Sequence, residues 1–138
     1  MGVVGDRLVF ATALELVCLD RSSGNQLWRE PAPIVLKGPA GIAASLVLSD
    51  RAAYLADSER LRAFSLSDGK PLWETPATIN HHKPPDVFLA NGLVWAAAYS
   101  GSTGRPAPLL GLNRMGVNGF DPETGTLIKQ IDQTMLGP

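Results

Sequence analysis

Ala63-Phe64-Ser65-Leu66-Ser67-Asp68-Gly69-Lys70-Pro71-Leu72-Trp73 is the middle copy of a pattern that this 138-residue chain carries three times. Cys18-Leu19-Asp20-Arg21-Ser22-Ser23-Gly24-Asn25-Gln26-Leu27-Trp28 precedes it, and Gly119-Phe120-Asp121-Pro122-Glu123-Thr124-Gly125-Thr126-Leu127-Ile128-Lys129 follows, all three aligning without gaps. Each copy has a small residue, a large apolar one, then Asp or Ser. Past a three-residue gap comes Gly, and the copy ends on Trp, or on Lys129 in the third. The glycines stand 45 residues apart from Gly24 to Gly69 and 56 apart from Gly69 to Gly125.

A second feature runs ahead of each copy. Asp6-Arg7-Leu8-Val9-Phe10-Ala11, Asp50-Arg51-Ala52-Ala53-Tyr54-Leu55-Ala56 and Asn91-Gly92-Leu93-Val94-Trp95-Ala96-Ala97 are each a polar turn followed by a strand-like run. Two features in the same order three times define an internal repeat. Short runs of Val, Leu, Tyr, Phe and Trp between Asp, Asn and Gly read as strands, and no run has helical periodicity. Gly in each copy answers to a hairpin that needs positive φ, with Asp68-Gly69 a strong turn pair. Strands are expected at 8–12, 16–20 and 26–29, with only Val3-Val4 left for a truncated first strand of unit one. The second unit has 42–48, 52–56, 61–65 and 71–75, and the third 86–90, 93–99, 117–121 and 127–131. Four antiparallel strands at a period near 45 residues are the arithmetic of a β-propeller blade.

The fold class is therefore all-β: a single partial propeller over 1–138, with blades near 1–30, 40–76 and 86–132. At these motifs the chain resembles the PQQ-like repeats of quinoprotein dehydrogenases and BamB, whose blade motif runs Ala-x-Asp-x-x-Thr-Gly-x-x-x-Trp. Cys18, Asp20, Ser23, Gly24 and Trp28 take those places in unit one, and Ala63, Ser65, Asp68, Gly69 and Trp73 in unit two. Gly119, Asp121, Thr124 and Gly125 do so in unit three, where Lys129 replaces the tryptophan. The resemblance implies that Asp20, Gly24, Trp28, Gly69, Trp73, Asp121 and Gly125 are structural, each tryptophan docking on the neighbouring blade. Burial of such a ring is worth roughly 2–3 kcal/mol. Closed propellers have four or more blades, so about three imply a fragment of a ring of about seven or eight. Closure would come from the remaining blades of a longer parent chain or from self-association.

Composition narrows the function. Twelve basic and thirteen acidic residues balance, which supplies no basic stripe for nucleic acid. No apolar stretch approaches the ~18 residues of a membrane helix. No signal peptide is read at Met1-Gly2-Val3-Val4-Gly5-Asp6, although the resemblance implies a periplasmic or otherwise extracytoplasmic parent. Catalytic quinoproteins, by the same resemblance, carry an adjacent-cysteine pair and a Glu/Asn/Asp calcium set. Cys18 is the single cysteine and reads as a small core residue. No cofactor is expected in this chain, PQQ and Ca²⁺ belonging only to a complete parent.

The extra eleven residues of the second spacing fall between strands two and three of unit three, forming an inserted loop over 100–116 rich in Gly and Pro. In a four-stranded meander such loops share a face with the blade-to-blade connections, one of which carries Asn80-His81-His82-Lys83-Pro84-Pro85. Long loops on one rim of a scaffold are where binding resides. His81, His82, Lys83, Arg105 and Arg114 are accordingly the candidate ligand or partner face. Two functions follow: a non-catalytic binding or assembly scaffold with a protein partner, or a segment of a quinone-dependent oxidoreductase whose catalytic residues lie outside this chain.

Overall fold

The computed structural model describes residues 1–36, 44–76, 86–99 and 115–132. They form three four-stranded antiparallel sheets, each a simple meander. Blade one comprises β1 (Gly2–Val4), β2 (Arg7–Ala11), β3 (Glu15–Asp20) and β4 (Gln26–Pro31). Blade two comprises β5 (Ser45–Leu48), β6 (Ala52–Ala56), β7 (Arg60–Ser65) and β8 (Pro71–Pro76). Blade three comprises β9 (Val87–Ala90), β10 (Leu93–Tyr99), β11 (Met115–Phe120) and β12 (Leu127–Asp132). Inner strands β1 and β5 approach one another, as do β5 and β9. Among the described residues no helix is long and apolar enough to cross a membrane.

Most strands shift at one or both ends by one to three residues from the sequence expectation, and two of the shifts change how a blade is built. The short first strand, Gly2–Val4, pairs with β2 and completes a four-stranded blade. Strand β11 starts at Met115, because Met115 and Gly116 continue the ladder opposite Tyr99 and Ala98. Those two residues therefore belong to the sheet and not to the inserted loop.

Alternation along β6 shows how the blades stack. Ala53 and Leu55 face blade one, in a core with Val9, Leu16, Cys18, Trp28, Phe64 and Leu66. Ala52, Tyr54 and Ala56 face blade three, in a second core with Leu61, Ala63, Val94, Ala96 and Phe120. Side chains of one strand point to opposite faces, so a strand between two blades is apolar at every position, as Ala52–Ala56 is. The small alanines let the sheets approach, and Leu55 and Tyr54 fill the space between them.

The repeated Asp shapes the hairpin between strands three and four. Asp20 Oδ1 accepts the Ser22 and Ser23 amides at 2.9 Å and the Ser23 hydroxyl at 3.1 Å. Asp121 Oδ1 likewise accepts the Glu123 and Thr124 amides. In blade two Ser65 stands at this position, and Asp68 accepts the Lys70 amide instead. These donors hold the Asp20 carboxyl below its ordinary value near 3.8, the Ser23 amide contributing most. The Lys70 amide does the same for Asp68. A carboxylate whose pKa is lower folded than unfolded stabilises the fold above the unfolded value and loses that contribution as pH falls through the folded one. A double Asp20→Asn, Asp68→Asn variant is expected to lose less stability than the parent as the pH falls below about 4. Denaturant midpoints measured from neutral pH down through that acid range check this, and superimposable acid curves would count against it.

Candidate functional site

Three constructions join the blades, the first of them built from residues of the repeat. The first is the tryptophan junction. Trp28 leaves β4 of blade one and is buried, its Nε1 donating to the Leu66 carbonyl of blade two at 2.9 Å. Trp73 leaves β8 and donates to the Pro122 carbonyl of blade three at 2.8 Å. Each ring lies flat on a glycine: a methyl group at Gly69 would sit 2.5 Å from Trp28 Cε3, and one at Gly125 2.5 Å from Trp73 Cε3. Both glycines also have positive φ, 80° and 74°, so two independent constraints select them. Gly24 shares the conformation, φ 74°, but a methyl group there would meet nothing within 4 Å. Gly24→Ala is therefore expected to cost about 1 kcal/mol, the left-handed penalty alone. Gly69→Ala should cost about 2–3 kcal/mol, since the Trp28 ring must also move. Equal losses for the two in urea unfolding would contradict the stacking.

The second construction is a buried ion pair beneath the blade connection. Asp57, in the β6–β7 turn, is fully buried, and Arg62 nearly so. Asp57 Oδ1 accepts the Glu59 and Arg60 amides. Its Oδ2 accepts Arg62 Nη2 at 3.3 Å and the Val35 amide at 3.1 Å. Arg62 and Arg60 in turn donate to the Pro33 carbonyl. Arg62 lies over the Phe64 ring, 5.8 Å from its centroid. Burial pulls the Arg62 guanidinium below its ordinary value, Arg60 adds to this, and Asp57 opposes it. The connection 32–36 is thereby clamped to blade two, while the Ala32 and Ile34 amides bond back to the Leu14 and Ala13 carbonyls of the β2–β3 loop. Strand-two-to-three loops and blade connections thus share one rim at this junction.

Asp57 and Arg62 were not among the sequence candidates, because Asp57 reads as an ordinary turn residue. The available signal was Arg62 itself, a charge inside the Leu61-Arg62-Ala63-Phe64 strand run. A buried charge there requires a partner from elsewhere.

The third is a cation bridge on the opposite rim, that of the strand-one-to-two turns. Arg7, on β2 of blade one, donates through Nη1 to the Leu66 and Ser67 carbonyls of blade two at 3.1 and 3.3 Å. Between blades two and three the same rim holds a cavity of about 420 Å³, lined by Asp50, Ala52, Tyr54, Leu93, Pro122 and Glu123 among others.

The family described as outer membrane protein assembly factor BamB matches residues 1–135. The chain belongs to this PQQ-like, BamB-type family.

Solved structures share the propeller fold. A quinohemoprotein alcohol dehydrogenase from Pseudomonas putida superposes on 94% of this chain and 19% of its own, at TM-score 0.63 and 17% identity. BamB from Moraxella catarrhalis does so over 91% and 35%, at TM-score 0.50 and 17% identity. The computationally designed Ika4 protein covers 93% of this chain and 68% of its own, at TM-score 0.59 and 12% identity. The chain spans about a fifth of the dehydrogenase and about a third of BamB. No curated protein sequence matches it.

Of the sequence candidates, Asp20, Gly24, Trp28, Gly69, Trp73, Asp121 and Gly125 all lie in the hairpins and junctions above. Lys129, on the exposed outer strand β12, faces Gly119 across the ladder. His81, His82, Lys83, Arg105 and Arg114 lie outside the described residues. Cys18 is buried in the core between blades one and two. Burial pushes its thiol up, against a smaller opposing effect of Arg7. Among the described residues no three His, Cys, Asp or Glu side chains converge on a metal position.

Proposed function

We propose that this BamB-type blade segment is a binding or assembly scaffold whose protein partner meets the rim of blade connections and strand-two-to-three loops. One observation carries the reading: the polar side chains of the repeat make structure. Asp20 and Asp121 close turns, Trp28 and Trp73 join blades, and Asp57 with Arg62 anchors the 32–36 connection. A rim clamped in this way is a rigid platform for variable loops. On this reading His81, His82, Lys83, Arg105 and Arg114 supply partner contacts, and PQQ and Ca²⁺ have no seat within the chain.

The test is cross-linking of the complete gene product in its source cells, followed by identification of peptides attached at Lys83. One recurrent protein partner is expected. The joint Arg105→Ala, Arg114→Ala change should cut its recovery by about fivefold without lowering Tm. A product without a partner that oxidises alcohols only when loaded with PQQ and Ca²⁺ would overturn the scaffold reading in favour of a quinone-dependent oxidoreductase.

A further inference from the structure

Arg7 and Ala52 occupy the same place in successive blades: Arg7 pairs with Asp20 and Ala52 with Ser65, which are matching positions of the repeat. Leu66 and Ser67 of blade two correspond in the same way to Pro122 and Glu123 of blade three. At the first junction the Arg7 guanidinium bridges the blades onto the Leu66 and Ser67 carbonyls. At the second, the side chain that would make this bridge ends at a methyl group. The space it would fill is the 420 Å³ cavity between Ala52 and the pair Pro122 and Glu123. That volume lies within the ~300–1,000 Å³ of small-molecule sites.

We propose that this cavity binds a guanidinium group on an aliphatic stem, which takes at the blade two–three junction the place that Arg7 takes at the blade one–two junction. Pro122 is the counterpart of Leu66, whose carbonyl accepts both a tryptophan Nε1 and Arg7; the Pro122 carbonyl accepts Trp73 in the same manner. Ala52, Leu72, Leu89 and Leu93 give the walls their apolar character, suited to a methylene stem. The charged lining is Asp50, Arg51 and Glu123, a balance of one negative charge, and Arg51 meets Glu123 only as a solvent-exposed pair at 3.6 Å, 81% and 77% exposed. Such a pair is weak and readily exchanged. Tyr54, on the wall, reports the same field. Its hydroxyl is pushed up first by burial and further by Asp50, Asp121 and Glu123, against the Ser49 hydrogen bond. The source of the guanidinium is either a free small molecule or an arginine side chain of a peptide.

The test titrates the full chain by calorimetry with agmatine, with a capped single-arginine peptide, and with butylamine as a cation that has no guanidinium fork. Saturable binding of agmatine or of the peptide is expected, the tighter of the two identifying the source, with butylamine at least about tenfold weaker. Glu123→Gln should weaken binding about threefold. Ala52→Arg supplies the missing group from within and should abolish binding. Ala52→Leu, which fills the space without charge, should abolish it as well and serves if the arginine variant fails to fold. Absence of binding by both guanidinium probes, equal binding of butylamine, or full binding retained by a folded Ala52 variant would each overturn the proposal.

Discussion

Replacing Asp57 by Ala is expected to lower the unfolding free energy by about 3–5 kcal/mol, the range for stripping one partner from a buried ion pair. The change leaves Arg62, itself nearly buried, without its carboxylate, and frees the Glu59, Arg60 and Val35 amides at once. Since Val35 belongs to the connection and Arg62 also holds the Pro33 carbonyl, the damage reaches the junction between blades one and two. The loss comes chiefly from the uncompensated charge. An Asp57→Ala, Arg62→Leu double variant should therefore recover part of it. Urea unfolding followed by tryptophan fluorescence measures both. A single-variant loss under about 1 kcal/mol would show that this pair behaves as a surface ion pair.

Trp28→Ala is the second large effect, also about 3–5 kcal/mol. Its ring is buried against the Gly69 turn and the core of Val9, Leu16, Phe64 and Leu66, with its indole nitrogen bonded across the junction. Trp28→Phe retains most of the apolar contact and removes the hydrogen bond to Leu66, so about 1 kcal/mol is expected. Trp73 makes the equivalent bond but is only partly buried, its ring tilted by 39° against Tyr54, which lines the open cavity, with centroids 5.9 Å apart. Trp73→Ala should cost measurably less than Trp28→Ala. The same denaturant series decides the order, and a reversed ranking would place the firmer junction between blades two and three.

Charge placement on the sheets shows how the repeat varies without changing its shape. Glu15 pairs with Arg29 across β3 and β4, and at the matching positions of blade two Arg60 pairs with Glu74. The signs are exchanged and the geometry is kept, because a cross-strand pair needs opposite charges, not particular ones. Blade three has Gly116 and Gln130 there and no such pair.

The strands and their hairpins were legible in the repeat because their causes are local. Asp20 meets amides two and three residues on, and Gly24, Gly69 and Gly125 each turn the chain where a side chain would resist. These interactions close within a few residues, so a short stretch of sequence states them completely. The first strand was less visible, since Gly2–Val4 earns strand geometry only through its ladder with β2.

Partners distant in the chain come from another source. That Trp28 rests on Gly69, that Arg62 reaches Pro33, and that Arg7 bridges to Leu66 depend on the angle and spacing at which one sheet stacks on the next. Sheet twist and the sizes of Ala53, Leu55 and Tyr54 set that stacking jointly, and no single residue encodes it. The identity of position 52 is plain in the sequence as an alanine. Its consequence, a cavity beside Asp50, Arg51 and Glu123 at the place where the first junction holds the Arg7 guanidinium, exists only once the blades are packed side by side.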